Sequence, residues 1–177
     1  HIDGKQEVPD QGDAGLITSY EELYDRVLEN FRIVMEEAAR HMVETQHLRS
    51  IVAPVPLLSA FLEGPVEQGK DMTQMGARFI LGGTIAEGIS HVIDSLCAIR
   101  RVVFWDKAAT MQEVVNALDN NFAGYENLRN RLASCPKYGA NEEEADEIGI
   151  KLTRDYAELM RKIDEKYPEM KFMPGIG

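Results

Sequence analysis

The sequence lacks the features that several large classes of protein require. Its longest apolar runs fall far short of a bilayer span, and no N-terminal stretch has the charged-then-apolar form of a secretion signal. Basic residues are also scarce, because 19 Lys and Arg stand against 30 Asp and Glu and leave a formal net charge of −11. Since that charge repels phosphate backbones, nucleic acid is not an expected partner. The composition indicates neither a membrane protein nor a nucleic-acid-binding protein.

Cysteine is equally sparse in this chain. Cys97 and Cys135 are the two cysteines of the sequence, which is too few for a disulfide framework and suits a reducing compartment such as the cytoplasm. The sequence contains no Cys-x-x-Cys and no Cys/His pairing at zinc spacing. We therefore expect neither a disulfide-stapled fold nor a structural zinc site.

The remaining composition is that of an ordinary soluble domain. The 177 residues are 44% hydrophobic and 28% charged, so the chain has room for a hydrophobic core. It begins with a histidine and stops on Pro-Gly-Ile-Gly, so both ends look cut from a longer protein. We expect residues 1–17 to form a loop or arm, and residues 18–177 to form a single helical segment of a larger domain.

Helix signals dominate the pattern along the chain. A capping box at Ser19 and Glu22 opens a long amphipathic helix to about His47, and a second box begins at Thr110 with Glu113. Asn141 and three glutamates place negative charge at the start of a last helix, where the backbone dipole favours it. The other predicted helices cover Leu57–Leu62, Ile85–Phe104, 111–122 and a stretch near 125–132, and the last helix reaches about Tyr167.

One stretch, Ala77–Gly83, reads as a β-strand because it is short, apolar and ended by paired glycines. An isolated strand cannot satisfy its own backbone amides and carbonyls. We therefore expect a mainly α fold with one or two short strands, whose sheet takes its other strands from outside this chain.

Two pairs of side chains could ligate a metal. Glu44 and His47 share one face of the first helix, and Glu87 with His91 has the corresponding i, i+4 spacing. Di-metal carboxylate bundles need a Glu-x-x-His motif twice, and it occurs once here. A solvated helix face is the favoured reading, and a helical metal-carboxylate protein built on Glu44 and His47 stays open as an alternative.

Each of the remaining polar residues can be interpreted as catalytic or as structural. Cys97 needs a neighbouring base to become a nucleophile, and a cysteine on an apolar helix face is usually a small core residue. Asp94 can bond a neighbouring backbone or pair with Arg101. Lys137 and Tyr138 could form an acid/base pair, but a turn into the next helix explains them equally well. The residues alone assemble no set of nucleophile, base and orienting group.

Four segments, in this order, resemble the glycyl radical enzymes, the pyruvate formate-lyase-like family. They are GKDMTQMGARF, DSLCAIRRVVF, ALDNNFAGYENLRNRL and PKYGANEEEAD. The positions that match the family pattern are Asp94, Ser95, Leu96, Ala98 and Ile99, with Arg100 for a lysine, then Ala117-Leu118, Asn121-Phe122, Gly124, Glu126, Leu128-Arg129, and Lys137, Tyr138 and Gly139. Met75 departs from the pattern, because a second glycine is common at that position.

The resemblance implies an outer-helix segment of a ten-stranded α/β barrel in an anaerobic, usually homodimeric lyase. In such enzymes an activase that uses S-adenosylmethionine and an iron–sulfur cluster installs a radical on a glycine. The radical passes to a cysteine, whose thiyl form abstracts hydrogen from a small substrate. Dehydration or decarboxylation is the expected reaction of the parent enzyme.

Neither catalytic loop of that family occurs in this sequence. It contains no Cys-x-Glu, and no Arg-Val-x-Gly-Tyr segment that could bear the radical. The resemblance therefore assigns no catalytic, cofactor-binding or metal-binding residue to this chain, and Cys97 takes a position usually held by a small residue. The expected partners are the remainder of the barrel, the activase and the parent's substrate. A stand-alone helical scaffold or interaction protein is the alternative from another class.

Overall fold

The computed structural model of the chain describes residues 8–176. The first seven residues of the expected arm lie outside this range; within it, the arm contains a short 3-10 turn, Ala14–Leu16, which is capped by the carboxylate of Asp13. The elements that follow are α1 (Tyr20–Val52), α2 (Pro56–Ser59), α3 (Pro65–Gln68), a 3-10 turn (Met72–Gln74), β1 (Leu81–Ala86), α4 (Ile89–Ile99), a π-helical segment (Arg100–Trp105), α5 (Met111–Asp119), α6 (Glu126–Ala133), α7 (Glu143–Lys166) and β2 (Lys171–Ile176).

These elements divide into two compact units. The first unit contains residues 8–31 together with Glu87–Asp155, and the second contains Arg32–Ala86 together with residues 156–176. The boundary falls within α1 and within α7, so each long helix contributes residues to both units. The expectation that residues 18–177 form one segment of a larger barrel domain stays a prediction.

The first unit buries apolar side chains of α4, the π-helical segment and α5. One cluster consists of Ile17, Val103, Met111 and Val114. A second cluster joins Ala98 and Val102 to Cys135, which follows α6. The capping box that opens α5 is confirmed, because Thr110 Oγ accepts from the amide of Glu113 while the Glu113 carboxylate accepts from the amide of Thr110.

The second unit places a small sheet against α1 and α7. Its core consists of Ala39, Tyr156, Met160, Ile163, Met170 and Phe172. Strands β1 and β2 pair in parallel, with Leu81 opposite Lys171 and Ala86 opposite Ile176. The hydroxyl of Tyr156 bonds the backbone oxygen and the hydroxyl of Thr84, each at 3.3 Å, and so fixes α7 on the sheet.

The expectation that the strand finds its partners outside the chain is wrong, because β2 supplies one of them. Pro174 lies within β2, and a proline, which has no amide donor, is tolerated on an edge strand. The predicted strand is also displaced, from Ala77–Gly83 to Leu81–Ala86. Gly82 lies inside this strand, and a Cβ there would come within 2.9 Å of Met170 Sδ. This glycine permits close packing and does not end the strand.

The long helices differ from the prediction mainly at their ends. Helix α1 continues to Val52 and stops before Pro54, which disfavours helical conformation in the residue before it. At its start the amide of Glu22 donates to Ser19 Oγ at 3.1 Å, but the Glu22 carboxylate accepts from the amide of Thr18 instead of Ser19. The helix predicted from Ile85 begins at Ile89, because residues 85 and 86 belong to β1.

The segment between α1 and β1 is organised by one carboxylate. Asp71 accepts from the amides of Val55 and Thr73 and from the hydroxyls of Ser59 and Thr73, at 2.6–3.0 Å. These hydrogen bonds, led by that from the Thr73 hydroxyl, lower the pKa of Asp71 to about 2. Met75, which departs from the family pattern, has a φ of 60°. Glycine adopts this left-handed region most readily, which explains why the family pattern commonly has a glycine at position 75.

Candidate functional site

The two candidate metal pairs do not behave alike. Glu44 and His47 both lie exposed on α1, as predicted, and the Glu44 carboxylate pairs with Arg40 Nη1 at 2.6 Å. Glu87 and His91 do not share a helix face, because α4 begins only at Ile89. Between residues 8 and 176, no three His, Cys, Asp or Glu side chains lie close enough together to hold a metal ion.

Cys97 lies on the buried face of α4. Its side chain is fully buried, and its thiol donates to Glu144 Oε1 at 3.5 Å. Burial, followed by the negative charge of Glu144, raises the pKa of the Cys97 thiol to about 12. Because the thiolate is the nucleophile, this environment opposes nucleophilic chemistry at neutral pH.

Glu144 is the centre of a partly buried charge cluster that sequence reasoning missed. Arg100 Nη2 donates to its backbone oxygen at 2.9 Å, and Arg101 Nη1 lies 3.4 Å from its carboxylate. The Arg100 guanidinium also lies over the ring of Trp105, 4.5 Å from its centroid. The sequence did contain one signal for this cluster, which is the acidic run at the start of α7. Arg100 binds a backbone carbonyl in the first turn of that helix.

Asp94 uses the backbone and not Arg101. Its Oδ1 accepts from the amide of Tyr138 at 2.8 Å, which fixes the turn before α7 to the middle of α4. Gly139 in that turn has a φ of 82°, and the Tyr138 ring lies where a Cβ on Gly149 would fall. These contacts give the Lys137-Tyr138-Gly139 turn a structural role, while the proposed acid/base pair stays untested.

We expect Cys97 to be unreactive in the folded chain. With a pKa near 12 and no exposed surface, its thiol should resist iodoacetamide at pH 8 for hours, and Cys135, also buried, should behave in the same way. Mass spectrometry of the alkylated protein measures this. Both cysteines should react within minutes in urea, which serves as the control. Rapid alkylation of Cys97 in the folded chain would contradict a packing role.

No helix between residues 8 and 176 has the length and apolarity to cross a membrane.

Comparison with known proteins identifies the family. A family model described as pyruvate formate lyase-like matches residues 1–176. The trans-4-hydroxy-L-proline dehydratase of Clostridioides difficile is 33% identical over 148 residues, which are 83% of this chain and 19% of that enzyme. The isethionate sulfite-lyase of Bilophila wadsworthia is 49% identical over 67 residues, which are 38% of this chain and 8% of that enzyme.

The fold leads to the same family. The crystal structure of a glycyl radical enzyme from Archaeoglobus fulgidus superimposes with a TM-score of 0.80 at 30% identity, covering 89% of this chain and 20% of that one. The chain thus spans about a fifth of the length of such relatives. Since the sequence matches over nearly all of its length and the fold agrees, this chain belongs to the pyruvate formate lyase-like family of glycyl radical enzymes.

Proposed function

We propose that this chain is an internal structural segment of a glycyl radical lyase, a dehydratase or decarboxylase that acts on a small polar substrate. In that enzyme the segment supplies outer helices and two barrel strands. The chemistry, thiyl abstraction of hydrogen after an activase has installed the glycyl radical, belongs to residues outside this sequence. The chain alone is expected to be inactive.

The observation that carries the proposal is that the two-stranded sheet leaves one face and its outer edges uncovered by the described residues. Parallel sheets occur almost only where helices or further strands cover both faces. Here one face packs on the core through Thr84 and Phe172, while Leu81, Ile85 and Met173 on the other are 54–61% exposed. Within residues 8–176 each strand has one partner, so each also keeps one open edge. Further strands and an inner layer would complete this arrangement.

Helices α1 to α3 carry a second surface that supports the proposal. Large apolar side chains are more than half exposed at seven positions within 19 residues: Leu48, Ile51, Val52, Leu57, Leu58, Phe61 and Val66. Monomeric proteins rarely leave such a concentration of apolar surface open to water. The remainder of a larger enzyme is the partner that this surface fits, and a scaffold protein with another apolar partner is the alternative.

Dehydration is the first reaction to test for the whole enzyme. One relative, which matches 83% of this chain, is a dehydratase of trans-4-hydroxy-L-proline, and another acts on isethionate as a sulfite-lyase. Both names describe cleavage of a bond between carbon and a heteroatom in a small polar molecule. The choice between such substrates depends on residues outside this sequence.

The natural polypeptide that contains this sequence tests the proposal directly. An antibody against this chain, followed by intact-mass measurement, should detect a product several times heavier than 19.9 kDa. Activated anaerobically with an activase and S-adenosylmethionine, that product should dehydrate a hydroxylated small molecule, while the sample without activase should not. A natural product near 20 kDa would overturn the proposal and leave the scaffold alternative.

A further inference from the structure

A pocket of about 320 Å³ opens between α4, α5 and α6 in the first unit. Its volume is at the lower end of the range of about 300–1,000 Å³ that small-molecule sites occupy. Most of its lining is apolar and is contributed by Ala98, Ile99, Val114, Leu118, Phe122 and Leu132. An apolar wall with a few polar groups is the usual composition of a ligand site.

The polar groups of this pocket are mainly cationic. Three ionisable side chains line it: Asp94, Arg129 and Lys137. Asp94 is already engaged, since it accepts from the amide of Tyr138 at 2.8 Å. Neither Arg129 nor Lys137 forms an ion pair with any residue between 8 and 176. Two cations without an acidic partner are notable in a chain whose net charge is −11.

The backbone beside the pocket is held in an unusual conformation. Asn121 and Phe122 have φ values of 47° and 61°, in the left-handed region that side chains disfavour. The amide of Phe122 bonds the carbonyl of Ala117 at 2.6 Å, and its ring forms part of the pocket wall. Non-glycine residues in this conformation cluster at binding sites, where the contacts around them hold them in it.

The residues that carry the family resemblance meet in this pocket. Asp94 and Ser95 come from one of the quoted segments, Leu118, Phe122 and Arg129 from another, and Lys137 from a third. Packing alone accounts for the apolar members of this set. Arg129 is exposed and Lys137 is half-buried, so water solvates both charges, but both also line an apolar cavity where the anionic group of a ligand can reach them.

We propose that this pocket binds a small organic acid with an apolar tail. Arg129 and Lys137 bind the carboxylate by charge-assisted hydrogen bonds, and the tail packs against Ile99, Leu118 and Phe122. The proposal commits to a free small acid, because the cavity has the volume of a small ligand and its charge complements one carboxylate. It does not depend on the proposed function of the whole enzyme.

Three eight-carbon probes test the proposal on the 177-residue chain. Octanoate, 1-octanol and octylammonium share a tail and differ in head-group charge. Calorimetric titration should show that octanoate binds at least about tenfold more tightly than octanol, because a hydrogen bond to a charged group contributes more than the ~1.4 kcal/mol that corresponds to a tenfold change in affinity. Octylammonium should bind most weakly of the three. Octanoate should shift the backbone NMR signals of Leu118 and Phe122. Equal binding of octanoate and octanol, no binding by octanoate, or shifts elsewhere would overturn the proposal.

Charge-removing variants locate the carboxylate. R129Q and K137Q should each weaken octanoate binding by about tenfold and leave octanol binding unchanged. R154Q removes the same charge from an exposed position on α7 that does not line the pocket, and it should bind octanoate as the original chain does. Circular dichroism checks that each variant is folded. An R154Q effect as large as that of R129Q would indicate general electrostatics and overturn the proposed site.

Ser95→Phe provides an independent test of the cavity. Ser95 is exposed at the pocket, and its hydroxyl donates to the carbonyl of His91 one turn earlier, so a larger side chain there blocks the opening without entering the core. Octanoate binding should be lost while the melting temperature stays close to that of the original chain. Unchanged binding in a folded S95F protein would place the ligand elsewhere and contradict the proposal.

Discussion

Gly76→Ala is expected to lower the free energy of unfolding by about 3 kcal/mol or to prevent folding altogether. A Cβ at this position would lie 2.3 Å from the carbonyl oxygen of Lys70 and 2.9 Å from that of Asp71. Both are backbone atoms of the segment that the Asp71 carboxylate organises, so neither can move aside as a flexible side chain would. Urea unfolding followed by circular dichroism measures the change.

Gly83→Ala is the matched control for this prediction. Gly83 lies in β1 with nothing within 4 Å of the added Cβ and without a positive φ. The same substitution should therefore change stability by less than about 1 kcal/mol, and an alanine should if anything favour the strand. A G76A protein as stable as G83A would show that the close approach at Lys70 is not a feature of the folded chain.

Leu152→Ala should lower the free energy of unfolding by about 2–5 kcal/mol. The Leu152 side chain on α7 is fully buried, so its truncation removes apolar contacts and leaves a cavity that the surrounding residues only partly fill. Thermal and urea unfolding should both record the loss.

Ile150→Ala, two residues earlier on the same helix, is the control. Ile150 is 59% exposed, and alanine is the better helix former, so the change should stay within about 0.5 kcal/mol. If the two substitutions were equally destabilising, α7 would not bury the face that the structure shows. This comparison therefore tests the orientation of α7 as well as the size of the core.

Local chemistry made several elements of this fold predictable. The Thr110 and Glu113 box, and the start of α1 beside Ser19, depend on hydrogen bonds between residues three or four apart, which the sequence displays directly. The end of α1 before Pro54 also has a local cause, because a proline disfavours helical conformation in the residue before it. The predicted end was five residues too early. The family could also be recognised, because its matching segments occur in order along the chain.

Contacts between distant residues could not be predicted in the same way. Strand β2 pairs with β1 across 90 residues, so no local pattern in either segment indicates the pairing. The partners of Asp94 and Cys97, the amide of Tyr138 and the carboxylate of Glu144, are 44 and 47 residues away. The proposed ligand pocket is lined by residues of three helices, so no single segment of the sequence indicates it.

The sequence by itself determined the helical character, the cap positions and the family, because each depends on neighbours or on order along the chain. Only the tertiary structure decided that Gly82 lies within a strand, that Asp94 holds a turn, and that the thiol of Cys97 is buried against a carboxylate. Those outcomes depend on which surfaces meet after folding. Packing selects among side-chain partners that local propensity leaves equivalent.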